Sequence, residues 1–214
     1  MKTAFLVGAG EGYSKTLIPK AQDTVIAVDG GFALCQTLGV VPCVTVGDFD
    51  SLSFIPKDTP IRRLPVEKDD TDMRVAVKEA FRLGCTFFHL FGGTGGRADH
   101  TFANYQLLME IAKEGGHGIL WGHSYLATVI GKGKAAFPKR EAGIFSVFAF
   151  GGDAKGVSVL GGKYEAKEVT LSSDYPLGVS NAFLGKEVQI EVKEGFLLLL
   201  WEREGDFLPH FATN

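Results

Sequence analysis

The chain is poor in cysteine, in long apolar runs and in clustered charge of one sign. Its three cysteines, Cys35, Cys43 and Cys85, show no CxxC spacing, which argues against a disulfide framework and against a zinc site. They read as buried thiols of a reducing compartment. The 22 basic and 25 acidic residues are mixed along the sequence, with a formal charge of −3 and no basic block that would track a phosphate backbone, so no nucleic acid partner is expected. The apolar run within Met1–Gly8 is too short for a signal peptide, and Phe196–Trp201, the longest such run near the end, has the length of a strand. No segment approaches a membrane span, which leaves a cytoplasmic location as the default expectation and no membrane partner.

What is present is a globular composition. At 214 residues and 45% hydrophobic, the chain can bury a full core in one large domain or two modest ones. As far as about residue 122, β-branched runs at 4–7, 24–28, 40–46, 61–64, 86–91 and 118–121 alternate with longer segments, the pattern of a parallel sheet. Met73, Ala76, Val77, Ala80 and Phe81 recur at helical spacing before Gly84, and Phe102, Tyr105, Leu108, Met109 and Ala112 repeat that spacing. After His123 short alternating runs are separated by glycine-rich turns, as in an antiparallel sandwich or barrel. The expected architecture is therefore α/β, a parallel-sheet domain over residues 1–122 followed by an antiparallel β domain over 123–214.

Four motifs fall where predicted strands of the first half stop: Asp29-Gly30-Gly31, Gly47-Asp48-Phe49-Asp50-Ser51, Lys68-Asp69-Asp70-Thr71-Asp72 and Gly92 through His100. The ends of strands are where an open parallel sheet builds its site. Carboxylates delivered there from separate strands repel one another unless a cation sits among them, which points to Mg²⁺ and a polyphosphate nucleotide. Asp48 and Asp50 point the same way if the segment is extended, although an Asx-turn explains the pair as well. Asp69 and Asp72 share one face of a helix's first turn, where capping accounts for one acid of this cluster but hardly for three. In Gly92–His100 the glycines let backbone amides approach phosphate and Arg97 can grip it bidentately. Gly8-Ala9-Gly10-Glu11-Gly12 is a weaker phosphate signal, equally a plain turn. Asp29 either contacts metal or nucleotide or caps the following helix. His89 reads as a core histidine.

Taken in order, these motifs resemble the set of the thiamine pyrophosphokinase (thiamine diphosphokinase) family in its bacterial form, and Gly161-Gly162-Lys163-Tyr164, Val179-Ser180-Asn181 and Leu199-Leu200-Trp201 resemble its later landmarks. Gly162, Phe32 and Ala98 depart from the family's usual residues. The resemblance implies a homodimer in which a Rossmann-like N-terminal domain binds ATP and Mg²⁺, a C-terminal β-sandwich completes the pocket, and thiamine lies at the subunit interface. It implies Asp48, Asp50, Asp69 and Asp72 as Mg²⁺ ligands. Arg97 would neutralise phosphoryl charge, and Asp99 would orient Arg97 or accept a proton. Asp29, Gly30, Gly95, Gly96 and His100 would lie against the nucleotide, and Tyr164, Ser180 and Asn181 against thiamine, with Trp201 the alternative aromatic platform. The runner-up is a diphosphokinase acting on another hydroxymethyl heterocycle such as a pterin. A non-catalytic nucleotide sensor is a third reading, which the complete carboxylate set disfavours.

Overall fold

The computed structural model describes residues 1–13, 18–47, 61–63 and 70–212. The chain forms two compact units, Met1–Leu107 with Gly118–His123, and Leu108–His117 with Ser124–Asn214. Its fold is of the mixed α/β type, and no helix among the described residues is long and apolar enough to cross a membrane.

The first unit is built on parallel pairing. Strands β1 (Thr3–Val7), β2 (Thr24–Val28), β3 (Val44–Gly47), β4 (Ile61–Arg63), β5 (Phe87–Phe91) and β6 (His117–Trp121) lie in the order β6-β5-β1-β2-β3-β4, and every pairing from β5 to β4 is parallel. The central strands are apolar along their whole length because both faces are covered; β2 is buried at all five positions. Helices α1 (Gly31–Thr37), α2 (Asp72–Arg82) and α3 (Ala98–Lys113) supply crossovers. From β1 the chain builds outward through β2 to β4 on one side and then returns to place β5 on the other side of β1. This is a topological switch, and it opens a crevice at the carboxyl ends of β1 and β5.

Helix α2 follows its sequence pattern: Met73, Ala76, Val77 and Ala80 are buried, and the helix packs on β1, β2 and β3. Its cap differs from expectation. Thr71, not an acid, is the N-cap, with Oγ1 accepting the Arg74 N–H at 3.3 Å. Asp70 is turned away from capping by Arg74 and by Lys78, whose Nζ lies at 2.7 Å. At the other end Gly84 takes the left-handed conformation (φ 82°) and its N–H reaches Phe81 O, as its place after Leu83 predicts.

Two other expectations need correction. β3 begins only at Val44, since Val41 is 77% exposed and Pro42 cannot donate to a ladder. Cys35 and Cys85 are buried but Cys43 is exposed. Burial pushes the Cys35 thiol up to about 11.

The second unit is antiparallel. β7 (Tyr125–Ile130), β14 (Leu197–Glu202), β9 (Ile144–Ala149) and β12 (Asn181–Ala182) pair in that order. A separate sheet runs β11-β10-β13-β8-β15, with β11 Ala166–Leu171, β10 Ala154–Leu160, β13 Lys186–Val192, β8 Gly133–Arg140 and β15 His210–Ala212. Strands β8 and β11 escape the sequence pattern. In β8 Pro138 interrupts the apolar run, yet it lies beyond the last β15 partner, Ala136, and opposite a register shift in β13, where no ladder hydrogen bond is required of it. β11 is largely exposed, so its residues show no inward alternation.

Aromatic rings fill the space between these strands. Phe137 of β8 meets Trp201 of β14 edge-on at 5.1 Å and Phe183 at 5.7 Å, and Phe183 in turn meets Phe145 of β9 at 4.8 Å.

Candidate active site

The crevice of the first unit is a cavity of about 370 Å³ that gathers residues from four separate segments of sequence. Asp29 enters at the end of β2, Asp72 at the first position of α2, and Gly95, Arg97 and His100 from the turn and first helical turn after β5. Gly8–Gly10 and Gly92–Gly93 form the floor. These two glycine turns are interlocked: Gly8 N–H donates to Phe91 O at 2.8 Å, Gly10 N–H to Gly92 O at 3.2 Å, and Gly92 N–H to Glu11 O at 2.9 Å. A Cβ on Gly10 would sit 2.5 Å from Gly92 O, so the close approach requires glycine there. The same bonds occupy the Gly8, Gly10 and Gly92 amides, so the first turn buttresses the second.

Two residues missed from sequence hold this floor. Asn104, buried in α3, donates from Nδ2 to Gly93 O at 2.8 Å, and buried Thr94 directs its hydroxyl to Trp121 O at 3.5 Å. His100, Ala103 and Asn104 recur at helical spacing on the α3 face that lines the cavity, which is the signal that could have found Asn104.

Asp29 sits in a left-handed backbone conformation (φ 51°), which Asp tolerates better than most residues, and its N–H donates to Val46 O at 2.8 Å. A side chain on the facing Gly47 would run into the Asp29 carboxylate. Gly30 serves as N-cap of α1 and is not part of the cavity lining. Asp99 is also outside the lining. It holds Arg97 in a fork, Nη2 to Oδ2 at 2.5 Å and Nε to Oδ1 at 3.2 Å. That pairing holds the Asp99 carboxyl below its ordinary value and raises Arg97. Gly96, like Gly95, has a positive φ at the turn, but does not line the cavity.

Asp48, Asp50 and Asp69, and with them Lys68, lie outside the described residues. Among the described residues no group of three or more His, Cys, Asp or Glu side chains could hold a metal. Asp29 and Asp72 do bring two hard carboxylate oxygen donors to one cavity, and a Mg²⁺ ion needs no more than one or two protein carboxylates when substrate phosphates and waters complete its shell. The residues present therefore fit Mg²⁺.

A second cavity, of about 420 Å³, lies in the second unit. Valines of β9, β10 and β11 form its wall, and Tyr164, Leu177 and Asn181 also line it. Asn181 is buried, and its amide clamps the Tyr164 backbone: Oδ1 accepts the Tyr164 N–H at 3.0 Å and Nδ2 donates to Tyr164 O at 2.7 Å. Gly162 has no room for a side chain. A Cβ would sit 2.8 Å from the Phe145 ring and 3.0 Å from Asn181 Oδ1. The Tyr164 ring is 60% exposed, with the Lys163 ammonium over it at 5.1 Å from the centroid. Ser180 lies outside the lining, held in a left-handed conformation (φ 59°) with its N–H donating to Ser146 Oγ. Trp201 is excluded as a platform: it is buried, and its indole N–H donates to Phe207 O at 3.0 Å. His89 is the core histidine its position predicts, accepting the Trp121 indole N–H at 3.1 Å.

Fold and crevice define a two-unit α/β enzyme whose polar residues converge at the carboxyl ends of parallel strands. Residues 16–119 match the family model described as the thiamin pyrophosphokinase catalytic domain, and residues 136–197 match that of the thiamin pyrophosphokinase vitamin B1 binding domain. The chain belongs to the thiamin pyrophosphokinase family. It is 28% identical over 213 residues to the thiamine pyrophosphokinase of Bacillus subtilis, covering 94% of this chain and 98% of that one. The crystal structure of thiamine pyrophosphokinase from Bacillus subtilis superposes with a TM-score of 0.82 at 25% identity, over 95% of this chain and all of the other. In fold alone the chain is similar to thiamin pyrophosphokinase from Candida albicans, with a TM-score of 0.75 at 13% identity over 95% of this chain and 89% of that one. None of these matches points to a pterin alcohol.

Proposed function

We propose that the chain transfers the pyrophosphoryl group of ATP to the hydroxyl of thiamine, giving thiamine diphosphate and AMP, with the first unit as a Rossmann-like ATP domain and the second as a β-sandwich that receives thiamine. The observation that carries this reading is the ordered match to both family domains, together with a crevice at the topological switch that collects Asp29, Asp72, Arg97 and His100.

The thiamine hydroxyl oxygen attacks the β-phosphorus in line, the bond from that phosphorus to the α–β bridging oxygen breaks, and AMP departs with the oxygen. Positioning and charge stabilisation supply most of the catalysis in such a transfer. Arg97, already oriented by Asp99, neutralises charge growing on the phosphoryl oxygens. His100, with Gly95 and Gly96 in the turn before it, lies against the phosphates, while Asp29 and Gly30 border the nucleotide. Asp72 and Asp69, with Asp48 and Asp50 of the preceding motif, would hold Mg²⁺, which would neutralise charge on the polyphosphate. In the second cavity Tyr164 offers an aromatic face to the thiamine rings and Asn181 fixes the backbone that presents it, while Ser180, next to Asn181, borders the same substrate.

The protein acts as a homodimer with thiamine bound at the interface, in the cytoplasm where ATP is available. The exposed Tyr164, Tyr175, Leu177, Val179 and Leu184 support a partner surface in the second unit. Purified protein given ATP, Mg²⁺ and thiamine forms thiamine diphosphate in this reading. Turnover of a pterin alcohol in place of thiamine would overturn it.

A further inference from the structure

The cavity that Tyr164 lines is walled mainly by apolar side chains. Of its twelve lining residues, Glu165 alone carries a charge. Its Oε1 accepts the Gly161 N–H at 2.8 Å, which pins the carboxylate to the turn before it. Several exposed acids of this unit are neutralised: Glu141 by Lys139, Glu194 by Lys155, Glu168 by Lys193 and Glu204 by Arg140, all within 2.9 Å. Glu165 makes no ion pair among the described residues. Lys163, two positions away, places its ammonium over the Tyr164 ring instead.

An uncompensated carboxylate beside an aromatic face, at the edge of a valine-lined cavity, favours a ring that is flat, largely apolar and positively charged. We propose that Glu165 is the counter-ion that makes this cavity select a cationic heterocycle over a neutral one, an inference that rests on the placement of thiamine in the same cavity. Thiamine carries a permanent positive charge on its thiazolium ring, and a pterin alcohol carries none. Selection by charge therefore separates the two substrate classes where shape alone, in an open cavity, discriminates weakly.

The test is Glu165→Gln, which keeps an oxygen for the Gly161 N–H and removes only the charge. KM for thiamine should rise about three- to tenfold while kcat stays within about twofold, because the charge on the ring is present in ground and transition states alike. The inhibition constant of an uncharged analogue, with thiophene in place of thiazolium, should not change. Equal weakening of thiamine and of the neutral analogue would overturn the counter-ion role and make Glu165 a support for the turn. Tyr164→Ala, measured in parallel, separates this inference from the one beneath it. A raised thiamine KM in Tyr164→Ala with an unchanged KM in Glu165→Gln overturns the counter-ion alone, whereas no change in either variant overturns the placement of thiamine in this cavity.

Discussion

Asn181 holds the main chain of Tyr164 at both ends of the residue's peptide groups, accepting its N–H at 3.0 Å and donating to its C=O at 2.7 Å, across 17 residues of sequence. The same Oδ1 accepts the Ala182 N–H at 2.8 Å. A residue expected to touch thiamine thus spends its amide on the loop that carries the aromatic ring.

Asn181→Ala should therefore cost about 1–3 kcal/mol of stability, since it leaves part-buried backbone groups without their partner, and should raise KM for thiamine by loosening Tyr164. Asn181→Asp keeps both acceptor contacts and loses the donor, so it should fall between wild type and Ala in both respects. Thermal melts with steady-state kinetics check this. An Ala variant that melts as wild type while losing thiamine affinity would instead make Asn181 a direct ligand.

Asp72 lies on the cavity but is not the helix cap, a role taken by Thr71. Asp72→Asn should change stability by less than about 1 kcal/mol, the usual worth of an acid at a helix N-terminus. Activity at fixed Mg²⁺ should fall by about a hundredfold or more, with partial recovery as Mg²⁺ is raised. Titrating Mg²⁺ against initial rate distinguishes this from simple unfolding. A variant with unaltered Mg²⁺ dependence would remove Asp72 from the metal site.

The Arg97–Asp99 fork sets a pH dependence. Its hydrogen bonds from Arg97 hold Asp99 below its ordinary value of 3.8, so any stabilisation is present above that value and is lost as pH falls through the lowered one. Both side chains are largely exposed, 71% and 64%, so the effect on global stability is close to nil. The readout is the Asp99 carboxyl carbon in an NMR titration, with a midpoint below 3.8 that returns toward it in Arg97→Gln. An unchanged midpoint in that variant would show that Arg97 is not what perturbs Asp99.

The sequence disclosed most where local pattern and burial agree. Met73, Ala76, Val77 and Ala80 marked α2 by helical spacing, and the continuous buried runs 4–7 and 24–28 marked the central strands, because each pattern is local to its own segment. Strand β11 stayed hidden because its charged, exposed residues take their conformation from pairing with β10. The glycine and acidic motifs identified Asp29, Asp72, Arg97 and His100, which share one cavity, because strand ends of a parallel sheet converge at its switch point. The supports were not legible. Asn104 under Gly93 acts through a long-range hydrogen bond to backbone; Asn181 is named by its motif, but its role as a clamp on the Tyr164 backbone is not; and the alternative Trp201 is core.

The central claim is a single-step transfer of two phosphoryl groups, and the identity of the products tests it most directly. Phosphorus NMR of a reaction containing the protein, ATP, Mg²⁺ and thiamine should show AMP and thiamine diphosphate accumulating in equal amounts from the earliest time points, with no monophosphate intermediate. ADP appearing together with thiamine monophosphate would contradict attack at the β-phosphorus, and with it the account given for the crevice.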